Sequence, residues 1–132
     1  MGLGCHRHGE FAMASGELDS GEFTAFLTDA FRQFTRYSVD GSLHYVFHDW
    51  RHQSEFRDAG NAVYDALLNL CVWAKTNGGM GSLYRSQHEL VFVFKHGSGP
   101  HQNNVELGKH GRYRTNVWNY AGANAFGIGR DE

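Results

Sequence analysis

The sequence predicts an α/β fold: part of an open, Rossmann-like sheet in the order helix, strand, helix, strand, antiparallel strand. One observation is an amphipathic helical pattern, because apolar residues recur at helical spacing from Phe23 to Phe34. Another is a set of short runs rich in β-branched and aromatic residues, which predict strands at 42–48, 68–73 and 89–95. Only a loop separates the last two runs, and this favours an antiparallel hairpin. Helices that alternate with strands in this way form half of an open α/β sheet.

The first helix is predicted to run from Ser20 to about Arg36. Ser20 is the expected N-cap, and Glu22 stands in the first turn, where the helix dipole favours a negative charge. The apolar stripe of this helix consists of Phe23, Phe26, Leu27, Ala30, Phe31 and Phe34. Residues 1–14 show no period and predict a loop, and Asp40-Gly41 predicts the turn that follows the helix.

The second helix is predicted to begin at Ser54. The residues expected on its apolar side are Phe56, Ala59, Val63, Ala66 and Leu67. After the third strand the chain becomes a long glycine-rich loop, with a last strand predicted at 114–120. We therefore expect a single partial domain with a sheet portion at 1–95 and a loop-rich basic portion at 96–132.

Composition excludes several protein classes. The chain has 132 residues, of which 41% are hydrophobic and 20% charged, which is typical of a globular domain and not of a disordered tail or coiled coil. Cys5 and Cys71 are far apart, which argues against a disulfide framework or a cysteine-built zinc site. No apolar run approaches the ~20 residues that span a bilayer, and no signal peptide opens the chain. We expect a soluble, cytoplasmic protein without a membrane partner.

Charge is divided unevenly along the chain. Residues 1–79 carry six Lys or Arg against ten Asp or Glu, whereas residues 80–132 carry six against four. The basic character concentrates between Tyr84 and Asn116, where four histidines also lie. An acidic scaffold followed by a basic, aromatic segment suggests a surface for a polyanion, although asymmetry of this size also arises by chance.

Three histidines spaced by four residues raise the possibility of a metal site. His44, His48 and His52 would share one face of a helix, but 42–48 is predicted to be a strand, where residues four apart lie ~13 Å from each other. One ion cannot bridge that distance unless the chain turns at His48, so we expect hydrogen-bonded structural histidines. Asp49 and its neighbours Trp50 and Arg51 follow the first strand, where open α/β sheets bind ligands, but they could equally cap the next helix.

The segment from Cys71 to Lys95 carries the strongest candidates for a binding site. Two strands flank a glycine-rich loop, and glycines let a backbone approach a ligand closely. Its candidate residues are Lys75, Asn77, Tyr84, Arg85, His88 and Glu89. A cation, an aromatic ring and amides suit a phosphate backbone and a stacked base. The alternatives are a solvated turn and a structural role for His88-Glu89, with the carboxylate bound to backbone amides or to Arg85.

The same segment resembles a known enzyme family. Its sequence is CVWAKTNGGMGSLYRSQHELVFVFKHG, with GSLHYVFHDWRH before it and GRYRTNVWNYAG after it. These runs resemble the β-order site-specific DNA methyltransferases of bacteria and phages, including those fused to ParB-like domains. The similarity extends from Gly9 to Glu132 and is most specific in Trp73-x-Lys75-Thr76-Asn77 and Tyr84-Arg85-x-x-His88-Glu89.

The resemblance implies a function. Enzymes of this family take a methyl group from S-adenosylmethionine and transfer it to an exocyclic amino group of adenine, or of cytosine, in double-stranded DNA, after flipping the base out. It implies that this segment holds the fifth to seventh strands of the methyltransferase sheet, with the sixth and seventh joined as a reversed hairpin. The loop candidates would then border the base pocket, and Lys109, Arg112 and Arg114 would contact phosphates or base edges. Asn116 and Trp118 would lie toward the active-site edge as candidate cofactor residues, or Trp118 would simply pack on a last strand.

The chain departs from the family pattern at its two most diagnostic motifs. Pro100 is the only proline, so the catalytic Asp-Pro-Pro-Tyr motif does not occur, and neither does the glycine-rich cofactor loop. We therefore expect a methyltransferase fragment that is inactive alone. The alternative is a non-enzymatic DNA-binding module, or a subunit that another polypeptide completes. An exposed sheet edge would favour self-association or such pairing.

Overall fold

The computed structural model describes residues 18–101 and 114–122. In chain order the elements are α1 (Ser20–Arg36), β1 (Leu43–His48), a 3₁₀ turn (Trp50–His52), α2 (Gln53–Val63), β2 (Ala66–Ala74), β3 (His88–Lys95) and β4 (Val117–Asn119). The predicted α/β class and the predicted order of helices and strands are confirmed. Neither helix in these ranges is both long enough and apolar enough to cross a membrane.

The four strands form one mixed, open sheet in the order β1-β3-β2-β4. β3 is antiparallel to both of its neighbours, which confirms the predicted hairpin with β2, and β4 is parallel to β2. β1, β2 and β4 therefore run in one direction and β3 in the other. As a result, the carboxyl ends of β1 and β2 meet the amino end of β3 at the same end of the sheet, where His48 pairs with Leu90 and Ala74 with His88.

The first helix begins with a different cap from the one predicted. Asp19 is the N-cap, because its carboxylate accepts a hydrogen bond from the Glu22 amide at 2.7 Å. Ser20 lies inside the helix, and its hydroxyl donates to Glu55 Oε1 at 3.2 Å instead. Both residue types are good N-caps, so the sequence alone could not choose between adjacent positions.

Ala66 and Leu67 were wrongly predicted to lie on the second helix, because they begin β2. The helix ends at Val63, and Tyr64 already has extended backbone angles. Pairing with β3 decides this boundary: the Asp65 amide donates to the Lys95 carbonyl at 2.9 Å, and Ala66 pairs with Lys95. The strand partner is distant in sequence, so it overrides the local helical periodicity.

A bulge in β2 lets two of its leucines face the same side of the sheet. The register of β2 on β3 shifts between Leu67 and Asn69. On a regular strand, side chains three residues apart point to opposite faces of the sheet. The bulge adds one residue to β2, so the side chains of Leu67 and Leu70 point to the same face. Leu67 and Leu70 therefore both pack against the core beneath the helices.

The core lies between the helices and one face of the sheet. Its buried members are Leu27, Phe31, Ala59, Tyr64, Phe92 and Phe94. Phe94 is fully buried, and its ring stacks on the Tyr64 ring with centroids 4.8 Å apart. On the opposite face of the sheet, Val91 and Val93 form a smaller cluster with Cys71. β3 is thus buried on both faces. Among the described strands β1 pairs only with β3 and forms one edge of the sheet.

His44 is held in its neutral form by the direction of its hydrogen bonds. The Ser38 hydroxyl donates to the Phe34 carbonyl, so its oxygen accepts from His44 Nε2 at 2.9 Å. His44 Nδ1 then accepts from the Tyr64 hydroxyl at 2.6 Å, and burial raises the pKa of Tyr64 to about 12, so this hydroxyl keeps its proton. Burial, assisted by nearby His96, lowers the pKa of His44.

His48 is buried and its imidazole is also satisfied as a neutral group. Its ring stacks on Phe92 at 4.0 Å, Nδ1 donates to the Val46 carbonyl, and Nε2 accepts from the Gln53 amide at 3.1 Å. Burial lowers its pKa, and the Val46 carbonyl and the Asp49 carboxylate only partly oppose this. The hydrogen bonds expected for His44 and His48 are present. In residues 18–101 and 114–122 no cluster of three or more metal-ligating side chains occurs.

We predict that Gly60→Ala destabilises the fold. A Cβ at position 60 would overlap the ring of Phe94, which has no space to move. Overpacking of this kind costs about 1–3 kcal/mol of unfolding free energy, measurable by urea denaturation. Gly21→Ala is the matched control, since its Cβ would stand 3.5 Å from Asp19 Oδ1 and should be neutral or slightly stabilising. Equal effects of the two substitutions would contradict the packing described for α2.

We predict that stability falls on mild acidification. The pKa values of His44 and His48 are lowered in the folded state, so the unfolded chain binds more protons below the ordinary histidine value of about 6.5. The free energy of unfolding should therefore stay level above that value and fall as the pH decreases below about 6.5. His48→Phe keeps a ring against Phe92 and should reduce this loss, whereas the exposed control His101→Gln should not. Stability that rises on acidification would refute the assignment.

Candidate nucleic-acid interface

A cleft of about 650 Å³ opens at the end of the sheet where β1 and β2 stop and β3 starts. It lies between residues 48–51, which follow β1, and residues 80–86 and 88–90, which lead into β3. Its volume falls in the range of sites that bind small molecules or single groups of larger ones. The cleft lies at the carboxyl ends of β1 and β2, which run in the same direction with β3 between them.

The wall that follows β1 is a tight turn. Asp49 caps this turn, because its carboxylate accepts from the His52 amide at 2.9 Å. Trp50 is 65% exposed, and the Arg51 guanidinium lies 5.3 Å from the centroid of its ring, a cation–π contact. Asp49 thus caps the 3₁₀ turn and not the next helix, whose N-cap His52 makes no side-chain capping hydrogen bond. Asp49, Trp50 and Arg51 all line the cleft.

A buried carboxylate attaches this turn to the first helix. Glu55 accepts from the Ser20 hydroxyl at 3.2 Å and from His52 Nδ1 at 2.9 Å. Both carboxylate oxygens are therefore used, and the imidazole ring of His52 also packs edge-on against Phe23. The position of the Trp50–Arg51 wall is thus fixed by contacts that the sequence spacing did not reveal.

The opposite wall is the loop between β2 and β3, which folds back on itself. The Lys75 amide donates to the Gln87 carbonyl at 2.8 Å, and the Gln87 side chain donates to the Lys75 carbonyl at 2.9 Å. Further along, the Gly79 amide donates to the Ser86 carbonyl at 2.6 Å. A Cβ at Gly81 would overlap the Tyr84 carbonyl oxygen. At Gly81, the absence of a side chain therefore lets the loop approach its own backbone.

Four of the predicted loop residues meet at the cleft: Tyr84, Arg85, His88 and Glu89. Lys75 lies behind them, where its ammonium group forms an ion pair with Glu89 Oε1 at 2.8 Å and lies 5.2 Å from the centroid of Trp73. Lys75 is thus the partner of the Glu89 carboxylate. Asn77 is on the same loop but does not line the cleft.

Asn116 and Trp118 are used to attach β4 to the sheet. The Asn116 side-chain amide donates to Asn69 Oδ1 and to the Leu70 carbonyl, both at 3.1 Å. Trp118 packs against the small cluster around Cys71 and lies 6.3 Å from the ring of Tyr45. Neither residue lines the cleft. Arg114 is exposed at the start of this segment, whereas Lys109 and Arg112 lie outside the described residues.

Two cations in the cleft have no ion-pair partner among the residues that the structure describes. Glu89 is paired with Lys75, and the Asp49 carboxylate caps its turn. Within the two described ranges, neither Arg51 nor Arg85 forms an ion pair. An unpaired guanidinium is a strong donor of paired hydrogen bonds to phosphate oxygens. The cleft therefore combines two such groups with the exposed rings of Trp50 and Tyr84.

Sequence reasoning gave little weight to one wall of this cleft and missed part of the other. For Trp50 and Arg51 the sequence offers only the rule for sheet ends, against a capping role, and it does not indicate that the exposed Met80 and Leu83 line a site.

A comparison with protein families and with curated proteins returns no matching family model and no matching protein. The geometry of the cleft therefore carries the functional argument.

Proposed function

We propose that the chain is a DNA-binding part of an S-adenosylmethionine-dependent DNA N-methyltransferase, and that the cleft contacts the DNA. One observation carries this proposal: two guanidinium groups without ion-pair partners, both among the described residues, line the cleft together with exposed aromatic rings. Guanidinium groups bind backbone phosphates, and exposed rings stack on bases that leave the helix.

The sequence resemblance supports the same assignment. The motif Tyr84-Arg85-x-x-His88-Glu89 lines the cleft, and Lys75 of the preceding motif pairs with its last residue. The antiparallel pairing of β2 with β3 agrees with the reversed hairpin that the resemblance implies. Adenine N6, or cytosine N4, is the acceptor that this family would methylate.

We assign this chain a role in binding DNA, and we assign none of its residues to binding the methyl donor. S-adenosylmethionine, when bound to an enzyme of this family, supplies the methyl group. We assign neither Asn116 nor Trp118 to the donor, because Asn116 is hydrogen-bonded to Asn69 and Leu70 and Trp118 packs against the cluster around Cys71. Arg51 and Arg85 would hold backbone phosphates on opposite walls of the cleft, and Trp50 and Tyr84 would contact the bases between them.

We predict that the chain binds duplex DNA with an affinity that falls as salt increases. Each phosphate contact contributes about −0.9 to the slope of log affinity against log salt. Arg51→Gln and Arg85→Gln should each weaken binding to any sequence and make the slope less steep by about one. Arg32→Gln is the control, because Arg32 is exposed on α1 with only a 3.9 Å contact to Asp29. Fluorescence anisotropy over a salt series provides the measurement.

Two results would overturn this proposal. One is an affinity without any dependence on salt, and the other is an equal loss of affinity in the Arg32 variant.

Methyl transfer from labelled S-adenosylmethionine tests the enzymatic part of the proposal separately. Because the chain contains no Pro-Pro pair, we expect the purified chain to bind DNA without turnover. Turnover would show that other residues hold the donor. Product that forms only with a second polypeptide carrying Asp-Pro-Pro-Tyr would identify a subunit completed by its partner.

We predict that Lys75 acts on DNA binding through Glu89. Lys75→Ala should leave the Glu89 carboxylate unpaired at the cleft, where repulsion of phosphate weakens DNA binding about fivefold, equivalent to roughly 1 kcal/mol. The double variant Lys75→Ala/Glu89→Ala should recover affinity to within about twofold, because the unpaired charge is gone. Continued weak binding by the double variant would mean that Lys75 contacts the phosphates itself.

A further inference from the structure

We propose that the end of the β2–β3 loop is an apolar wedge that inserts between neighbouring base pairs of duplex DNA. We call Met80, Leu83 and Tyr84 the loop tip. This inference rests on the proposed function, since it assumes that DNA lies against the cleft, and it adds the contacts of Met80 and Leu83, which the proposed function does not use.

The loop tip exposes more apolar surface than a solvated turn requires. Met80 is 94% exposed, Leu83 85% and Tyr84 84%, the highest values among the exposed large hydrophobic residues of the described chain. These three side chains stand within five consecutive residues. Apolar groups gathered in this way mark a surface that gains free energy when a partner removes it from water.

The loop holds its tip in place by hydrogen bonds at two levels. At the base, Lys75 and Gln87 exchange two hydrogen bonds of 2.8 and 2.9 Å. Nearer the tip, the Ser86 carbonyl accepts from the Gly79 amide and the Ser86 amide donates to the Met80 carbonyl at 3.3 Å. A tip presented by a hydrogen-bonded loop loses less conformational entropy on binding than a free segment would.

The charges around the tip favour DNA as the partner. Arg85 follows the tip directly, and Arg51 stands on the opposite wall of the cleft. Neither has an ion-pair partner within 18–101 or 114–122. Duplex DNA offers an apolar stack of bases with phosphates on both sides, which matches an apolar tip beside cations. Methionine and leucine are among the side chains that separate base steps in this way.

Insertion has a consequence that can be measured without any enzymatic activity. Separating two stacked base pairs costs free energy, and the cost is smaller where the step is already weakened by a mismatch. A protein that inserts a wedge should therefore bind a mismatched duplex more tightly than the matched one. A few kcal/mol of stacking corresponds to a preference on the order of 10- to 100-fold.

The experiment compares two short synthetic duplexes that differ only in one central mismatch, each with 2-aminopurine beside it. We expect the chain to prefer the mismatched duplex by at least about tenfold and to raise the 2-aminopurine fluorescence of the matched one. Met80→Ser/Leu83→Ser should bring the preference to within about twofold and abolish the rise. Val39→Ser is the matched control, since Val39 is 78% exposed outside the cleft. Circular dichroism checks that both variants fold.

The possible failures are distinguishable. Equal affinity for the two duplexes, with the salt dependence retained, overturns the wedge and leaves the proposed function standing. Failure to bind either duplex overturns both. Sedimentation provides a further check: self-association that the loop-tip variant abolishes, with its mismatch preference unchanged, would identify the tip as a contact between copies of the chain and would also overturn the wedge.

Discussion

The insertion of β3 between β1 and β2 is the constraint on which the rest of the structure depends. β3 is antiparallel to both neighbours and is buried on both faces, with Phe92 and Phe94 toward the helices and Val91 and Val93 on the opposite side. Because β3 runs against β1 and β2, its first residues stand beside their last ones. This one reversal places the loop before β3 against the turn after β1, and the cleft is the space between them.

The helical layer supports the same arrangement by close packing and by buried polar contacts. α2 approaches the sheet so closely at Gly60 that Phe94 occupies the place of a side chain. Glu55, on the same helix, binds both Ser20 of α1 and His52 of the turn. The turn that carries Trp50 and Arg51 is therefore attached to both helices through Glu55.

The binding properties of the cleft depend on which of its charged side chains already have ion-pair or hydrogen-bond partners within the protein. Asp49 and Glu89 line the cleft, but one caps a turn and the other is paired with Lys75. Arg51 and Arg85 have no ion-pair partner among the described residues, so two guanidinium groups remain available to a ligand, while of the two carboxylates Glu89 is neutralised by an ion pair. A simple count of charged residues along the chain would not separate these roles, because it does not record which carboxylates are occupied.

The sequence by itself determined the elements whose signal is local. Periodicity alone predicted α1, and dense apolar runs predicted the central parts of β1, β2 and β3, because spacing within one element reports which face is buried. The loop candidates Tyr84, Arg85, His88 and Glu89 were instead selected by residue type within a glycine-rich loop, and all four line the cleft. Only the tertiary structure decided that Ala66 and Leu67 join β2. It also decided that the Asn116 side chain is hydrogen-bonded to Asn69, and that Trp50 and Arg51 line the same cleft as Arg85. These outcomes depend on pairing between residues far apart in the chain, and no local pattern encodes which distant strand will be the neighbour.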